Sequence, residues 1–207
     1  MIRILCLGDN HIPYRAKNTP KQIVNHLATL TKTELFDYTL FTGDLIMCPE
    51  LIVLLKSKTK KKRFFSVLGN MDYHYGNRDS PIYHQLNLVF NTSDKIFIGL
   101  THGSQIRPRG DHVQLEKFAI EKKINVIVSG HTHKEEVFLT KNGTLLLNPG
   151  SATGAWSFVA SGIPSFILLN INESNKEIHI NLFQVQKNSR ELMTLNFDFT
   201  FRNSKIL

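Results

Sequence analysis

Short apolar segments of this sequence repeatedly end in a glycine next to a polar side chain that could bind a metal. Helical patterns separate several of these segments, and alternation of strand and helix over the first 130 residues predicts a mostly parallel sheet with covering helices. The carboxyl ends of such strands converge on one crevice, so side chains far apart in sequence can lie close together. The five strand ends are Gly8-Asp9-Asn10-His11, Gly43-Asp44, Gly69-Asn70, His102-Gly103 and Gly130-His131-Thr132-His133.

The predicted elements of this first part follow from apolar runs and helix-start signals. Helices are predicted to begin at Thr19-Pro20, at Pro49 and at Asp111, because proline and capping side chains favour the first turn of a helix. The third helix extends to about Lys122. The predicted strands are Ile2–Leu7, Tyr38–Thr42, Phe64–Leu68, Lys95–Leu100 and Asn125–Ser129.

The sequence changes character after residue 133. Strand patterns now follow one another without helices, and Asn142-Gly143 is typical of a tight hairpin turn. The chain contains no internal repeat and no linker-like segment. We therefore expect a second, antiparallel sheet within a single α/β domain of residues 1–207, whose last residues, 201–207, are frayed. The predicted strands are Glu135–Leu139, Thr144–Leu147, Phe166–Ile171, Ile178–Val185 and a final one around Leu192–Phe201.

Composition excludes several classes of protein. A hydrophobic content of 42% with 14 Phe argues against disorder or a coiled coil. No apolar run approaches the length of a membrane span, and no signal-peptide pattern is present. Two cysteines, Cys6 and Cys48, make no disulfide framework, which favours a reducing, cytoplasmic compartment.

The net charge of +8 raises the question of an anionic partner. Six of the 25 basic residues lie within residues 56–63. Such a run can bind anionic lipid or nucleic acid, or it can be a solvated helix end. Aromatic residues are not interleaved with it, as they would be in a binder of single strands, so no specific nucleic-acid role is predicted.

The side chains at the strand ends have the chemistry of a metal site. Carboxylate, amide and imidazole ligands without thiolate suit Mn, Fe, Zn, Co or Mg. Seven ligands are too many for one tetrahedral ion, but they suit two divalent ions that share a carboxylate. Two such ions about 3.5–4 Å apart can hold a phosphate ester and generate a hydroxide nucleophile.

The order of these motifs resembles the calcineurin-like metallophosphoesterase superfamily. The shared pattern is Asp-x-His, Gly-Asp, Gly-Asn, His and Gly-His-x-His. The resemblance implies a two-layered β-sandwich core flanked by helices. It also implies two metal sites bridged by Asp44, one held by Asp9, His11, Asp44 and His133, the other by Asp44, Asn70, His102 and His131.

Longer strings narrow the resemblance to the retromer small subunits. They are Gly8–Arg15, Gly99–Gln105, Ser129–Lys134, Asn148–Ala155 and Ile163–Phe166. This resemblance implies a scaffold for endosomal or vesicular protein sorting that binds an α-solenoid subunit and regulatory proteins. It would be cytoplasmic and would reach endosomal-type membranes only through its complex. The alternative is an active metal-dependent phosphodiesterase or phosphatase that uses a metal-bridging hydroxide.

Two departures from the family bear on activity. Asp44 supplies the bridging carboxylate where animal members tend to have asparagine. Many active phosphoesterases have a histidine after Gly-Asn, but this chain has Met71, whose thioether cannot transfer a proton. Asp72, His74 or the substrate itself could substitute as the acid, but we do not expect it. The sequence thus predicts, at most, a weak phosphoesterase acting on activated esters.

A third departure lies in the loop after His102, where family members meet the solenoid partner. Two arginines stand where apolar residues are usual. They indicate a partner with an acidic face or a different docking mode, unless both simply face solvent. Trp156 and Phe158 could be a further apolar contact or could pack in the core. The candidate contact residues of the loop are Ile106, Arg107, Pro108 and Arg109.

Overall fold

The computed structural model describes residues 1–91, 94–186, 189 and 191–207. Within them the helices are α1 (Lys21–Leu30), α2 (Pro49–Ser57), α3 (Asn70–His74) and α4 (His112–Lys122). The strands are β1 (Ile2–Leu7), β2 (Tyr38–Phe41), β3 (Phe64–Ser66), β4 (Tyr83–Val89), β5 (Lys95–Thr101), β6 (Val126–Val128), β7 (Glu135–Leu139), β8 (Leu145–Pro149), β9 (Ser165–Ile171), β10 (Glu177–Val185), β11 (Leu192–Arg202) and β12 (Lys205–Ile206).

The strands form two mixed sheets. One has the order β12-β11-β10-β9-β1-β2-β3, and the other has the order β4-β5-β6-β8-β7. Parallel pairing joins β1 to β2 and β2 to β3, while β9 pairs antiparallel with the other edge of β1. In the second sheet β5, β6 and β8 are parallel, and β4 and β7 are antiparallel to their neighbours.

The predicted division into a parallel first sheet and an antiparallel second sheet is therefore wrong. The strands β5 and β6, which we expected in the parallel sheet, belong to the second sheet. The strands β9 to β11, which we expected in the antiparallel sheet, belong to the first. The local patterns were correct, but a strand that is apolar on both faces has the same pattern whichever neighbour it pairs with. The α/β class and the two-layered sandwich with helices outside are confirmed.

The alternation of side chains along β1 shows how the layers are held. Ile4 and Cys6 point into the core between the two sheets, while Leu5 and Leu7 point to the opposite face. This opposite face packs against α1 and α2, whose buried residues include Leu27 and Leu55. On the other side of the sandwich α4 covers the second sheet. The period of two along each strand thus produces four layers.

The end of the chain differs from the frayed tail that we expected. Residues of β12 pair with β11, and Ile206 is fully buried in the core between the sheets, as is Phe201 apart from 2% of its surface. Both side chains close one edge of that core, and this burial holds the end of the chain in place. The strand β4 was also missed, although Leu86 and Leu88 alternate with polar residues along it. Among the described residues no helix has the length and apolarity that crossing a bilayer requires.

Candidate metal centre

All seven side chains predicted to bind metal converge on one crevice. They lie immediately after the strands β1, β2, β5 and β6 and at the start of α3. Six of them are buried, and Asn70 is the exposed one. The crevice therefore opens to solvent beside Asn70.

A first group of four side chains surrounds one point. The ligand atoms of Asp9, His11, Asp44 and His133 all lie within 4.8 Å of one another. The Nε2 atom of His11 lies 3.0 Å from Nε2 of His133 and 3.3 Å from Oδ2 of Asp44. Nε2 of His133 lies 3.4 Å from Oδ1 of Asp9.

A second group surrounds Nε2 of His102. This nitrogen lies 3.0 Å from Oδ1 of Asn70, 3.2 Å from Nδ1 of His131 and 3.5 Å from Oδ2 of Asp44. The same Asp44 oxygen therefore faces both groups. A carboxylate in this position could be shared by two ions, whereas each of the four histidines belongs to one group.

Hydrogen bonds orient two of the imidazoles. Nδ1 of His102 donates to the carbonyl oxygen of Thr42, and Nδ1 of His133 donates to that of Ala155, both at 2.8 Å. Because Nδ1 carries a proton, Nε2 is the ring nitrogen that faces the crevice and can bind a metal. At His102 this nitrogen faces the side-chain oxygens of Asn70 and Asp44. Imidazole nitrogens and oxygen atoms that converge in a buried crevice form a donor set that fits a divalent metal.

Burial keeps the imidazoles of His11 and His131 neutral. It lowers the pKa of His11 and of His131 to about 3, and neighbouring imidazoles act in the same direction. For Asp9, burial acts to raise the pKa, but His133 and the other imidazoles outweigh it and lower the value to about 2. Burial raises the pKa of Asp44 to about 6, and the nearby Asp9 adds to this effect. Neutral imidazoles beside a carboxylate are the protonation states that metal binding requires.

The backbone bends sharply at five of the seven residues. Asp9, His11, Asp44, His131 and His133 all have φ between 50° and 70°, a left-handed conformation that side chains other than glycine rarely adopt. Such conformations cost about 1–3 kcal/mol each and cluster at functional sites. Here they turn each chain segment back into the crevice directly after its strand.

The glycines of the motifs make room for these carboxylates. A Cβ atom on Gly69 would lie 1.9 Å from Oδ1 of Asp44, and one on Gly130 would lie 2.4 Å from Oδ2 of Asp9. Neither contact is sterically possible. The glycine signal in the sequence thus has a packing cause as well as a conformational one.

Sequence reasoning missed the structural role of Asp72. Its buried carboxylate accepts hydrogen bonds from the backbone nitrogens of Asp44 at 2.7 Å, Ile46 at 2.9 Å and Gly69 at 3.1 Å. It therefore holds the loop that carries Asp44 and is not free to act as an acid. The available signal in the sequence was weak: Asp72 is an acidic residue three positions after Gly69, the residue that precedes the short helix α3.

The neighbours of Asp72 offer no buried acid either. Met71 is half-buried, and its backbone nitrogen donates to Oδ1 of Asp44 at 2.8 Å. His74 is exposed, with its ring centroid 5.2 Å from that of Tyr75.

The four candidate contact residues of the partner loop are not all at the surface. Ile106 is only 4% exposed and packs with the core under α4, so the expectation that it contacts a partner is wrong. An apolar residue in a loop can be recruited to the core by the helix that follows it. Arg107 and Pro108 are exposed. Arg109 is half-buried, and its Nη1 atom donates to the carbonyl oxygen of His131 at 3.4 Å.

Aromatic side chains are exposed around the same rim. Trp156 and Phe158 are exposed and lie edge to face at 5.1 Å. The guanidinium of Arg15 lies 5.8 Å from the centroid of Trp156 and donates to its carbonyl oxygen. Of the two sequence hypotheses for Trp156, an exposed apolar contact is therefore the one that the structure favours over core packing.

The basic run begins in the last turn of α2 and ends just before β3. Lys60 forms ion pairs with Asp37 at 2.7 Å and with Glu34 at 3.6 Å. Lys56 and Arg63 lie over aromatic rings. Several of the cations thus have partners within the chain, which favours the solvated helix end over a dedicated anion surface.

The fold and this crevice place the chain in a class of proteins that comparison with known families identifies. The family model described as the calcineurin-like phosphoesterase superfamily domain matches residues 2–174. A relative from Methanothermobacter thermautotrophicus named "Probable metallophosphoesterase" is 32% identical over 147 residues, which are 71% of this chain and 75% of the relative. The chain belongs to the calcineurin-like phosphoesterase superfamily.

Within that superfamily, the chain is similar to Vps29. The structure of Vacuolar Protein Sorting 29 from Cryptosporidium parvum has a TM-score of 0.81 and 32% identity, covering 97% of this chain and 98% of that one. A single mutant of Vps29 from Entamoeba histolytica has a TM-score of 0.81 and 28% identity, covering 96% and 100%. The wild-type Entamoeba protein complexed with Zn²⁺ has a TM-score of 0.78 and 28% identity, covering 95% and 99%.

Proposed function

We propose that this chain is a retromer-type scaffold subunit that serves endosomal or vesicular protein sorting on a phosphoesterase fold. The observation that carries the proposal is the similarity to Vps29 along almost the whole of both chains. In this role the protein would be cytoplasmic. It would bind an α-solenoid subunit and regulatory proteins, and it would reach membranes only through that complex.

The exposed rim of the crevice supports a docking role. Arg107 and Pro108 are exposed on one side, and the exposed aromatic pair of Trp156 and Phe158 adds apolar surface. Aromatic and arginine side chains are the residues that most often dominate protein interfaces. Because the loop carries arginines, we expect the matching surface of the solenoid to be acidic.

A binding experiment with the α-solenoid sorting subunit of the same source tests this function. The wild-type chain should bind it, and Arg107→Glu should weaken binding at least tenfold because it reverses the charge at the rim. The matched control is Arg202→Glu, an exposed arginine at the end of β11, which should bind as the wild type does. Failure of the wild-type chain to bind, with both proteins folded, would contradict the scaffold proposal.

We further propose that the crevice holds two divalent ions. Asp9, His11, Asp44 and His133 would hold one, and Asp44, Asn70, His102 and His131 would hold the other. Support comes from the close approach of the ligand atoms in each group and from Oδ2 of Asp44, which faces both groups. The donor set is compatible with Mn, Zn, Fe, Co or Mg.

Elemental analysis after metal loading tests this proposal. It should find close to two ions per chain. Asp44→Ala should reduce both the number of bound ions and the affinity for them, because Oδ2 of Asp44 faces both groups of ligands. Asp79→Ala, an exposed carboxylate, is the matched control and should leave the metal content unchanged. A wild-type value near zero would contradict the proposal.

A second candidate function is a metal-dependent phosphodiesterase or phosphatase, which the presence of Asp44 specifically favours. Two divalent ions would supply charge for the phosphoryl oxygens and activate water. The chain itself would contribute Asn70 and His102 to orient the phosphoryl group. Asp72 is the buried acid beside Met71, but its carboxylate is held by three backbone hydrogen bonds, so we expect no described residue near Met71 to protonate the leaving group. A general acid typically contributes 10²–10⁴-fold, and we therefore expect slow turnover of activated aryl esters.

An assay of the metal-loaded protein on an aryl phosphodiester separates the two functions. Slow turnover that Asp44→Ala abolishes would support a residual activity beside the scaffold role. Turnover at the rate of ordinary enzymes, about 1–10³ s⁻¹, would contradict a pure scaffold. Turnover that persists in Asp44→Ala would show that the crevice is not its source.

A further inference from the structure

A cavity of about 230 Å³ lies beside the candidate metal centre. It is formed between the carboxyl end of β5, the start of β4 and the last turn of α4. Its lining includes Leu68, Tyr83, His102, Gln105, Phe118 and Lys122. The imidazole of His102 belongs both to this lining and to the second group of candidate ligands, so the cavity adjoins the centre directly.

The wall of the cavity has the chemistry of an aromatic-binding site. The rings of Tyr83 and Phe118 lie edge to face, with centroids 5.7 Å apart. The ammonium group of Lys122 lies 5.6 Å from the Tyr83 centroid and 5.9 Å from that of Phe118. An aromatic group packed against these side chains in the cavity would gain aromatic contacts and the neighbouring cation.

The size of the cavity fits one ring system. An apolar cavity of about 150 Å³ is already sufficient for benzene. Several polar groups of the lining are already paired, since Nε2 of Gln105 donates to the hydroxyl of Thr101 at 2.9 Å and the hydroxyl of Tyr83 donates to Gln85 at 2.8 Å. The site therefore favours a flat apolar group over a sugar or a short peptide, which would need more hydrogen-bond partners.

We propose that this cavity binds the aromatic group of a phosphate ester whose phosphoryl group lies at the metal centre. The proposal rests on the metal centre proposed above, and it names the class of ester that the centre accepts. Two independent features agree with it. The cavity shares His102 with the centre, and an aryl oxygen can leave without a proton donor, a role for which Asp72 beside Met71 is not free.

Calorimetric titration of the metal-loaded protein with two phosphonates tests the proposal without any turnover. Phenylphosphonate and methylphosphonate carry the same anionic head, but only the first has a ring. Burial of the ring should make phenylphosphonate bind about tenfold more tightly. Equal affinities of the two compounds would overturn the subsite while leaving the metal centre intact.

Substitution of Phe118 locates the ring. Phe118→Ala should reduce the affinity for phenylphosphonate to near that for methylphosphonate, which should itself stay unchanged. If this variant does not fold, Phe118→Leu keeps much of the apolar volume but removes the ring, and it should reduce the preference about threefold. The matched control is Phe138→Ala on β7. This strand is the edge of the second sheet opposite β4 and the cavity, so the variant should keep the full preference.

The remaining outcomes separate the two proposals. An undiminished phenyl preference in a folded Phe118 variant would overturn the subsite. Uptake of metal without binding of either phosphonate would overturn the phosphoryl site and the subsite together. Failure to take up metal would overturn the metal centre and, with it, everything that depends on it.

Discussion

Replacement of Asp72 by asparagine is the most informative single change outside the candidate ligands. Its carboxylate is 3% exposed and accepts three backbone hydrogen bonds. In Asp72→Asn the amide NH2 group replaces one carboxylate oxygen. This NH2 group cannot accept a hydrogen bond from the backbone N–H that faces it. The other oxygen remains an acceptor but loses its charge. Three backbone donors of the loop would then be only partly satisfied.

The expected loss of stability follows from these three bonds. Hydrogen bonds to a charged group contribute about 1.5–3 kcal/mol, and bonds between neutral groups about half as much. One bond is lost and two are weakened, while repulsion between Asp72 and the nearby Asp44 is relieved. We therefore expect the free energy of unfolding to fall by about 2–4 kcal/mol.

Metal affinity should fall as well, although Asp72 is not a candidate ligand. The backbone nitrogens of Asp44 and Gly69 both donate to it, so its loss would loosen the loop that positions the bridging carboxylate. Groups that orient metal ligands in this way typically change affinity by about 10–100-fold.

Two measurements check this prediction. Urea denaturation of the metal-free protein gives the stability, and calorimetric titration with Mn²⁺ or Zn²⁺ gives the affinity. Asp79→Asn makes the same chemical change at an exposed position and should alter neither quantity. If Asp72→Asn also alters neither, the carboxylate does not organise the loop and the reasoning is refuted.

Two further predictions concern pH and the chain end. Burial lowers the pKa of His11 and His131 to about 3, whereas it raises that of Asp44 to about 6. Between about pH 4 and 6 the unfolded chain thus binds about one proton more than the metal-free folded state, and stability should rise by about 1.4 kcal/mol per pH unit. Denaturation at several pH values checks this; a fall with rising pH would contradict it. Because Ile206 is fully buried, Ile206→Ala should cost about 2–4 kcal/mol. Thermal unfolding measures this loss of stability, and Leu207→Ala, at an exposed position, is the control. If both variants lose equally little stability, the burial of the chain end is contradicted.

Much of the candidate site could be predicted from local sequence. Each candidate ligand directly follows a predicted strand or begins a helix, and its glycine neighbour reports a close backbone approach, as Gly69 and Gly130 demonstrate. Two helix starts were also accurate, whereas α1 begins at Lys21 with Pro20, not Thr19, at its N-cap. The helix α2 begins at Pro49 as predicted, and Asp111 caps α4 by accepting from the backbone of Gln114.

The role of Asp72 and the burial of Ile106 could not be predicted in this way. Both depend on groups that are distant in sequence. The Asp72 carboxylate reaches the nitrogen of Asp44, 28 positions earlier, and Ile106 packs against residues of α4 and of the second sheet. An acidic residue in a short helix and an apolar residue in a loop have many other uses, so neither pattern is specific.

The sequence by itself determined the types of element, the chemistry of the seven candidate ligands and the superfamily. These depend on residue identity and spacing within short windows, where backbone geometry and ligand chemistry act directly. Only the tertiary structure decided which strands share a sheet, how the chain end is held and where the cavity beside His102 lies. Strand pairing such as that of Ile4 with Leu169 is a long-range choice. A strand that is apolar on both faces carries no local record of its neighbour, because the backbone hydrogen bonds that join strands are the same for every sequence.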